Sequence, residues 1–380
     1  MRYTDKLNEK FHPLMVNRIL RAYSKKMDRR FSHRPDLNKP VDEDVTRKHI
    51  ELYSKLGLPC KDKWLRFYSN LTGVADYTYL PEDLYFARIE RVLNDCNRAE
   101  SEAEDKNLLS KFVDKRYQPR TILRFIRGLF YNEDYKSISR IEAEKILATD
   151  HGPLIGKVAT ESSGGHGVKS YKFVDGIYTS SDNMKLTCSW IERNFSNFLV
   201  QEQLDQCDFS KKFNPCSINT CRIITLRSPW DGNIIVTKAG MRFGVTHDII
   251  DNMGIGGLGI GISNQGELGP KAYTYNDLKE FRAHPVTGMV FAGQKHPQFE
   301  KMCDVVVEQA QNIPNFNLIS WDVIVDNNNE VKIIEVNLVS QGTDLPQFAY
   351  GSFFGDNTEK IIEWVADHLK YDIFKHFRTF

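Results

Sequence analysis

A chain of 380 residues is longer than one hydrophobic core usually supports, so two or three structural units are expected. The composition, 41% hydrophobic and 27% charged, is typical of a soluble globular protein, and a formal net charge of +1 does not indicate a nucleic-acid or acidic-membrane partner. The seven cysteines form no CxxC pair, which argues against a zinc or disulfide framework and favours a reducing compartment. Because no run reaches membrane-span length and the N-terminus lacks an apolar signal segment, no membrane span and a cytoplasmic location are predicted.

Residues 1–110 are rich in charge and place their apolar residues at helical spacing. A helix is predicted after Pro81, because the apolar residues that follow recur at intervals of three and four as far as Leu93. The two cation pairs at 25–26 and 29–30 are interpreted as solvated surface. The sequence therefore predicts a mainly helical N-terminal region, whose function its residues do not indicate.

Residues 111–197 are predicted to form a small lobe of mixed helices and strands. The predicted elements are strands at 121–126, 128–131, 152–159 and 168–174, and a helix at 138–147 with Ser139 as its N-cap. Residues 198–380 are predicted to form a larger lobe. Its predicted elements are strands at 198–204, 218–226, 234–243 and 258–263, a closing hairpin after residue 320, and helices at 299–313 and 357–370.

A glycine-rich loop lies between the strands at 152–159 and 168–174. Its residues are Ser163, Gly164, Gly165, His166 and Gly167. A dinucleotide fingerprint or a Walker loop would open a helix, and that context is absent here. Glycines between strands can instead let backbone amides close over phosphate oxygens, and Lys157 leads into the loop. An ordinary turn is the alternative.

The segment Gln201, Glu202, Gln203 and Leu204 ends an apolar strand with polar residues. Backbone groups at such an edge can pair with the ring and amino nitrogens of adenine. A strand that simply ends at a turn is the alternative.

Two later strands carry cations beside apolar neighbours. Arg222 follows Asn219, and alternation places Lys238, Gly240 and Arg242 on one face. An arginine in an apolar strand is usually held by an anion, because its planar fork matches phosphate or carboxylate. The anion is either a ligand or a structural Asp or Glu, and both readings stay open.

The closing hairpin carries three oxygen-bearing side chains. If residues 327–330 form the loop, Asp322 lies opposite Glu335, and Asn337 follows on the same face. Carboxylates in an apolar hairpin are costly unless they are paired or bind a cation. Oxygen ligands alone favour a hard ion such as Mg²⁺. A half-exposed hairpin whose acids face water is the alternative.

Together these motifs resemble the sugar-transfer-associated ATP-grasp family. The resemblance runs from about residue 81 to 355, and it rests on the order and spacing of several short motifs. These are Asp105-Lys106-Asn107, Lys157 with the glycine-rich loop, Gln201-Glu202, Ser217 to Arg222, Arg242, Asp251-Asn252, Gly256-Gly257, His284-Pro285, Trp321-Asp322 and Glu335-Val336-Asn337.

The resemblance implies an α+β fold in which two α+β lobes clamp ATP behind the helical N-terminal region. It implies that the 201–204 segment holds adenine, that Lys106 and Lys157 contact the nucleotide, and that the 162–167 loop covers the phosphates. It also implies that Asp322, Glu335 and Asn337 hold Mg²⁺. Arg222 and Arg242 would face the transferred phosphoryl group, with Asn219 as a further catalytic residue. Ser320 stands where amino-acid-type ligases of the superfamily often carry Arg, so these two arginines would neutralise the acyl phosphate.

The predicted function is an ATP- and Mg²⁺-dependent ligase that joins a small-molecule carboxylate to an amine, or to a sugar-linked substrate, in glycan or polysaccharide assembly. The sequence lacks a Ser/His or Cys/His nucleophile arrangement, and phosphoryl transfer needs chiefly positioning and charge neutralisation. Two alternatives stay open: a phosphotransferase acting on a sugar hydroxyl, and a non-catalytic nucleotide-binding partner of glycan assembly.

Overall fold

The computed structural model describes residues 3–94, 105–159, 167–246, 251 and 253–372. An N-terminal group of helices precedes two seven-stranded antiparallel sheets, so the predicted α+β class is confirmed. None of the described helices is both long enough and apolar enough to cross a bilayer.

The helices of the described chain are numbered α1 to α11. They are Tyr3–His33, Glu43–Ser54, Lys63–Thr72, Glu82–Leu84, Glu90–Asn94, Leu109–Phe112, Arg140–Leu147, Cys188–Asn194, Asp208–Lys211, Phe299–Ala310 and Thr358–Asp367. A π-helical turn, Tyr85–Ile89, joins α4 to α5. Short 3₁₀ turns lie at Pro35–Asn38, Lys106–Leu108, Lys115–Tyr117, Met253–Ile255, Leu345–Gln347, Gly355–Asn357 and Leu369–Tyr371.

The strands are numbered β1 to β14. They are Thr121–Ile126, Leu129–Tyr131, Ser137–Ile138, Leu154–Val158, Val168–Val174, Ile177–Ser180, Asn197–Glu202, Cys221–Arg227, Ile234–Phe243, Leu258–Ile262, Ala272–Tyr273, Glu280–Phe281, Leu318–Val325 and Val331–Asn337. The first sheet has the order β3-β2-β1-β7-β4-β5-β6, and the second has the order β12-β11-β10-β9-β8-β13-β14.

The N-terminal helices are confirmed, and they pack on the second sheet. Apolar residues of α1, α2 and the α4–α5 segment share a core with Ile224, Leu226 and Leu318 of that sheet. The helical region is therefore part of the larger body of the protein, because it covers one sheet face with side chains that would otherwise meet water. The other face of the second sheet packs against α10, around Trp321 and Val306.

The boundary predicted between residues 197 and 198 falls in the wrong place. Strand β7 begins at Asn197, yet it lies at the centre of the first sheet, between β1 and β4. Its apolar residues Phe198, Leu199 and Val200 are all buried, as a central strand requires. The division between the two sheets therefore lies after Glu202.

The pairing of the closing hairpin is as predicted, with Asp322 opposite Glu335. The turn spans residues 326–330, one residue more than predicted, and the Asp326 amide donates to the Glu330 carbonyl over 2.9 Å. A bulge at position 334, opposite the Asp322–Val323 step, restores the register. The row continues into the sheet, because Asp322 also lies opposite Arg222 on β8, and Arg222 lies opposite Gly240 on β9.

Gly240 lets the chain after β14 approach this face of the sheet. A Cβ atom at position 240 would lie 2.6 Å from Cγ of Leu345, so a side chain there would push the Leu345–Gln347 turn away. The turn packs against the sheet close to the row of charged residues.

Candidate active site

Asp322 is clamped by two arginines on the second sheet. Arg222 donates from Nε and Nη2 to the two carboxylate oxygens, each over 2.9 Å, and Arg242 Nη2 donates to Oδ2 over 3.0 Å. Asp322 is only 2% exposed. Burial alone would raise its pKa, but the two guanidinium groups outweigh burial and hold that pKa well below its usual range.

Arg242 is held from its other side by a second acid. Its Nε and Nη2 donate to Oγ1 of Thr220 over 2.9 and 2.7 Å, and the Thr220 hydroxyl and amide donate to Asp251 over 2.5 and 2.7 Å. Burial raises the pKa of Asp251, against the effect of nearby Arg242. Both arginines are thus fixed in direction before any ligand arrives.

Glu335 forms an ion pair with Lys106, which lies in the 3₁₀ turn beside the first sheet. Its Oε1 lies 2.8 Å from Nζ of Lys106, and the Lys106 amide donates to the Ala159 carbonyl just after β4. The Glu335 side chain is 33% exposed, whereas that of Asp322 is 3% exposed. The carboxylate of Glu335 is therefore the more accessible of the two.

Lys157 places a buried cation on the first sheet beside this junction. It lies on β4 opposite Leu199 and is 7% exposed, and no hydrogen bond or ion pair joins its amine to the rest of the described chain. Burial and the nearby Lys106 cation lower the pKa of Lys157 to about 8. A buried amine with no anionic partner is costly, so it would bind an anionic ligand strongly.

Asn337 completes the predicted oxygen row. It lies opposite Ser320, two residues beyond Glu335 on the same face, and its buried Nδ2 has no hydrogen-bond partner within the described residues. An unpaired buried amide is costly and indicates a missing partner. A bound ligand with an oxygen atom near Nδ2 could supply the missing hydrogen-bond acceptor.

The residues fit Mg²⁺ in part. Directly opposed residues on paired strands have Cβ atoms about 5 Å apart, so the side chains of Asp322 and Glu335 share one small region, with Asn337 next along the strand. Both oxygens of Asp322 already accept from arginine, so Glu335 and Asn337 are the better placed ligands. Across residues 3–94, 105–159, 167–246 and 251–372, except 252, no three His, Cys, Asp or Glu side chains group around a possible metal position. The predicted ligand set is not such a group, because it contains two carboxylates, of Asp322 and Glu335, and the side-chain amide of Asn337.

The predicted adenine segment ends at the edge of the first sheet. Gln201 is buried, and its amide donates to the Pro119 carbonyl over 3.3 Å. Glu202 Oε1 accepts from the Arg120 amide over 2.7 Å, and Oε1 of Gln203 accepts from the Ser170 hydroxyl.

The backbone of this segment divides into paired and open groups. The Gln203 amide donates to the Pro153 carbonyl over 2.8 Å. No hydrogen bond to other described residues involves the backbone of Leu204. The side chains of Gln201, Glu202 and Gln203 are engaged in the fold, and the open backbone groups include the Leu204 amide and carbonyl.

Ser163, Gly164, Gly165 and His166 lie outside the described residues. Gly167 is described and has φ +80°, and a Cβ atom there would lie 2.6 Å from Cγ2 of Val158. Only glycine fits this position without strain or displacement of Val158.

The structure argues against the catalytic role predicted for Asn219. Its amide donates to the carbonyls of Ser210 and Asn214, each over 3.0 Å, and to Oε1 of Gln206 over 3.1 Å, while its Oδ1 accepts from the Gly244 amide. The residue is 1% exposed. Asn219 therefore ties together the chain that leads into β8, and its polar atoms are not directed at a ligand.

Replacing Asn219 with Ala is expected to reduce the free energy of unfolding by about 2–3 kcal/mol, because several buried partners lose their hydrogen bonds. Urea denaturation measures this loss. At a temperature where the variant is folded, its turnover should match that of the parent chain. A large loss of kcat with unchanged stability would restore the catalytic interpretation.

Sequence reasoning missed Arg124 and Thr220 as parts of the site. Arg124 is 2% exposed on β1 and donates to the Asn107 carbonyl beside Lys106. The signal was an arginine inside the apolar strand 121–126. Thr220 carried no comparable signal, because its bridging position depends on contacts with Arg242 and Asp251, each more than twenty residues away in the chain.

Three similar solved structures have low sequence identity to the chain. Biotin carboxylase from Campylobacter jejuni has 12% identity and a TM-score of 0.38, over 70% of this chain and 46% of that one. VanG D-Ala:D-Ser ligase from Enterococcus faecalis has 12% identity and a TM-score of 0.38, over 73% and 62%. L-amino acid ligase from Bacillus licheniformis has 12% identity and a TM-score of 0.36, over 71% and 48%. The chain thus spans less than two thirds of each of these structures.

No curated protein shows significant similarity to the chain. Residues 94–362, more than two thirds of the chain, match the family described as sugar-transfer associated ATP-grasp. The chain therefore belongs to the sugar-transfer-associated ATP-grasp family.

Proposed function

We propose that the protein is an ATP- and Mg²⁺-dependent ligase that activates a small-molecule carboxylate as an acyl phosphate for attack by an amine, in polysaccharide or glycan biosynthesis. The main observation behind the proposal is that two groups of charged side chains lie close together where the two sheets adjoin. Lys106, Lys157 and Arg124 come from the side of the first sheet, and the Arg222–Asp322–Arg242 clamp and Glu335 come from the second.

The cations on the first sheet support a nucleotide triphosphate as ligand. Lys157 and Arg124 are buried, and Lys106 is paired with Glu335, so the group contains more positive than negative charge. An anion with several oxygens would remove this imbalance. In the proposal, Lys106 and Lys157 bind phosphate oxygens, the loop that ends at Gly167 covers them, and the open backbone groups of Leu204 pair with adenine.

Glu335 and Asn337 are the proposed ligands of Mg²⁺, with Asp322 beside them. Bound Mg²⁺ would neutralise charge on the phosphate oxygens. The residues act together: Lys106 would leave Glu335 for a phosphate oxygen, and the carboxylate would turn to the ion. Asp322 keeps both arginines aimed at the same region.

Arg222 and Arg242 are proposed to hold the phosphoryl group during transfer. The γ-phosphorus–oxygen bond of ATP breaks as a carboxylate oxygen bonds to phosphorus, which yields ADP and an acyl phosphate. The amine then bonds to the acyl carbon, phosphate leaves, and the nitrogen loses a proton. Ser320 offers no cation here, so these arginines supply the neutralising charge.

A cytoplasmic location belongs to the same proposal. The six cysteines in the described part of the chain are all free thiols, which is typical of a reducing compartment. The glycan role rests on the name of the family.

Hydroxylamine trapping tests the reaction class. Candidate uronic acids and amino acids are screened with ATP and Mg²⁺ for ADP release, and hydroxylamine should convert the acyl phosphate to a hydroxamate that is identified by mass. If the product is instead a stable phosphorylated sugar, the protein is a phosphotransferase and not a ligase. If no acceptor releases ADP and Asp322→Asn with Glu335→Gln keeps full function in cells, the protein is a non-catalytic partner.

The affinity for ATP is expected to depend on pH through Lys157. Its pKa of about 8 means that the amine is charged and binds phosphate near pH 7, and that it loses its proton as the pH rises through 8. The Kd for ATP should therefore rise about tenfold between about pH 7 and pH 9. Lys157→Met should bind ATP weakly with no such rise, as measured by calorimetry. An identical pH profile in the variant would exclude Lys157 from the phosphate site.

A further inference from the structure

The two cation pairs of α1 are split between the inside and the outside of the protein. Arg30 is 2% exposed and donates to Asp344 over 2.6 Å, and Lys26 bonds to Asp344 and Glu82. Lys25 and Arg29, their neighbours in sequence, are exposed. Successive helical residues lie about 100° apart, so each pair places one cation on each face.

The exposed face of α1 forms a basic strip. The cations on it are Arg18, Arg21, Lys25 and Arg29, all exposed, at intervals of three and four residues. Between positions 11 and 32 no acidic residue lies within this arc of about 100°. Asp28 borders the strip, and its carboxylate is paired with Lys63 over 2.5 Å.

The strip begins with two large apolar side chains. Leu14 is 61% exposed and Phe11 is 37% exposed, on the same face as the cations. From Leu14 to Arg29 the helix extends about 22 Å. A cluster of Lys and Arg residues on a helix is typical of surfaces that bind anionic lipid headgroups, and exposed Leu or Phe side chains add affinity when they enter the membrane interface.

We propose that this face of α1, defined by Phe11, Leu14, Arg18, Arg21, Lys25 and Arg29, docks the protein on a membrane surface rich in anionic lipid headgroups. A soluble polyanion would meet the same cations but would gain little from Leu14 and Phe11, so the apolar residues favour the membrane. The net charge of +1 for the whole chain hides this local excess of positive charge.

The opposite face of α1 fixes the helix to the rest of the protein. Arg30 and Lys26 bind Asp344, which lies just beyond β14 and its proposed metal ligands. Docking through α1 would therefore hold the active site at a set distance from the membrane. The proposal does not depend on the reaction proposed above.

Sedimentation of the full chain with vesicles tests the docking surface. The probes are phosphatidylcholine vesicles with and without about 30% phosphatidylserine. The protein should sediment with the anionic vesicles only, and more weakly as salt is added. Arg21→Gln/Lys25→Gln/Arg29→Gln should reduce binding about a hundredfold, since each cation near the surface contributes roughly fivefold. Leu14→Gln should reduce it about fivefold.

The matched control removes the same charge elsewhere. Lys136→Gln/Lys145→Gln/Lys172→Gln changes three exposed lysines of the first lobe, and it should leave binding unchanged. No binding of the parent chain to anionic vesicles would overturn the proposal, and so would equal losses in both triple variants. If Leu14→Gln binds the anionic vesicles as tightly as the parent chain, the membrane proposal is wrong and the strip is a site for a soluble polyanion. Thermal melting checks that each variant is folded. If a variant does not fold, the proposal is still tested by whether the parent chain binds vesicles with phosphatidylserine and not vesicles without it.

Discussion

Replacing Glu335 with Gln is expected to lower kcat by about a hundred- to a thousandfold and to leave the free energy of unfolding nearly unchanged. The carboxylate lies on an accessible part of β14, and its ion pair with Lys106 is partly exposed, so its loss costs the fold no more than about 1 kcal/mol. In the proposed reaction, the same carboxylate would be a ligand of Mg²⁺, and the ion would supply charge neutralisation for phosphoryl transfer. Removal of one charged ligand would weaken the binding of the ion in the transition state.

Steady-state ADP release and urea denaturation measure the two expected effects of Glu335→Gln. The matched control is Glu330→Gln in the turn of the same hairpin, where the carboxylate pairs with Lys301 over 3.2 Å at the surface. This control should keep both its turnover and its stability. Full turnover of Glu335→Gln would exclude the metal role, and equal losses of stability and activity would assign Glu335 to the fold.

Replacing Asp344 with Asn is expected to destabilise the protein by about 3–5 kcal/mol. Asp344 is 3% exposed and accepts from Arg30 over 2.6 Å, from Lys26 over 3.0 Å and from the Tyr68 hydroxyl over 2.8 Å. Burial alone would raise its pKa, but Arg30 and Lys26 outweigh burial and keep that pKa well below the usual range. The substitution leaves the buried Arg30 and the half-buried Lys26 with only Glu82 to balance them.

Urea denaturation of Asp344→Asn checks this loss against Asp28→Asn. Asp28 lies on α1 itself and pairs with Lys63, but its side chain is 58% exposed, so the control should change stability by less than about 1 kcal/mol. Similar stability of the two variants would mean that the cations under α1 are solvated or find other partners. The helix would then be held mainly by its apolar contacts.

Many elements were predictable because their signals are local. The strand at 121–126, the helix with Ser139 as its N-cap and the long strand at 234–243 all formed at the predicted positions. Ser139 accepts from the Glu142 amide in a capping box, a pattern that four consecutive residues define. Such signals need no knowledge of the rest of the chain.

The position of β7 and the packing of the N-terminal helices were not predictable in this way. Strand β7 was recognised as apolar, but its partners β1 and β4 are distant in the chain, and a run of buried residues does not name its neighbours. The helices of the first 94 residues looked like a separate region. Only the second sheet, more than a hundred residues later, explains their apolar faces.

The sequence by itself determined which residues form the oxygen row of the closing hairpin, because strand alternation brings Asp322, Glu335 and Asn337 onto one face. The pairing of Asp322 with Glu335 also depends on two features that the sequence did not indicate, since the turn is one residue longer than predicted and the bulge at position 334 takes up that residue. The tertiary structure alone decided what faces that row. Arg222 meets Asp322 across one hundred positions, and Lys106 meets Glu335 from the 3₁₀ turn beside the first sheet. It also decided which cation of each pair on α1 is buried. Helical geometry separates neighbours onto different faces, but only the surface against which the helix packs selects the face that meets water.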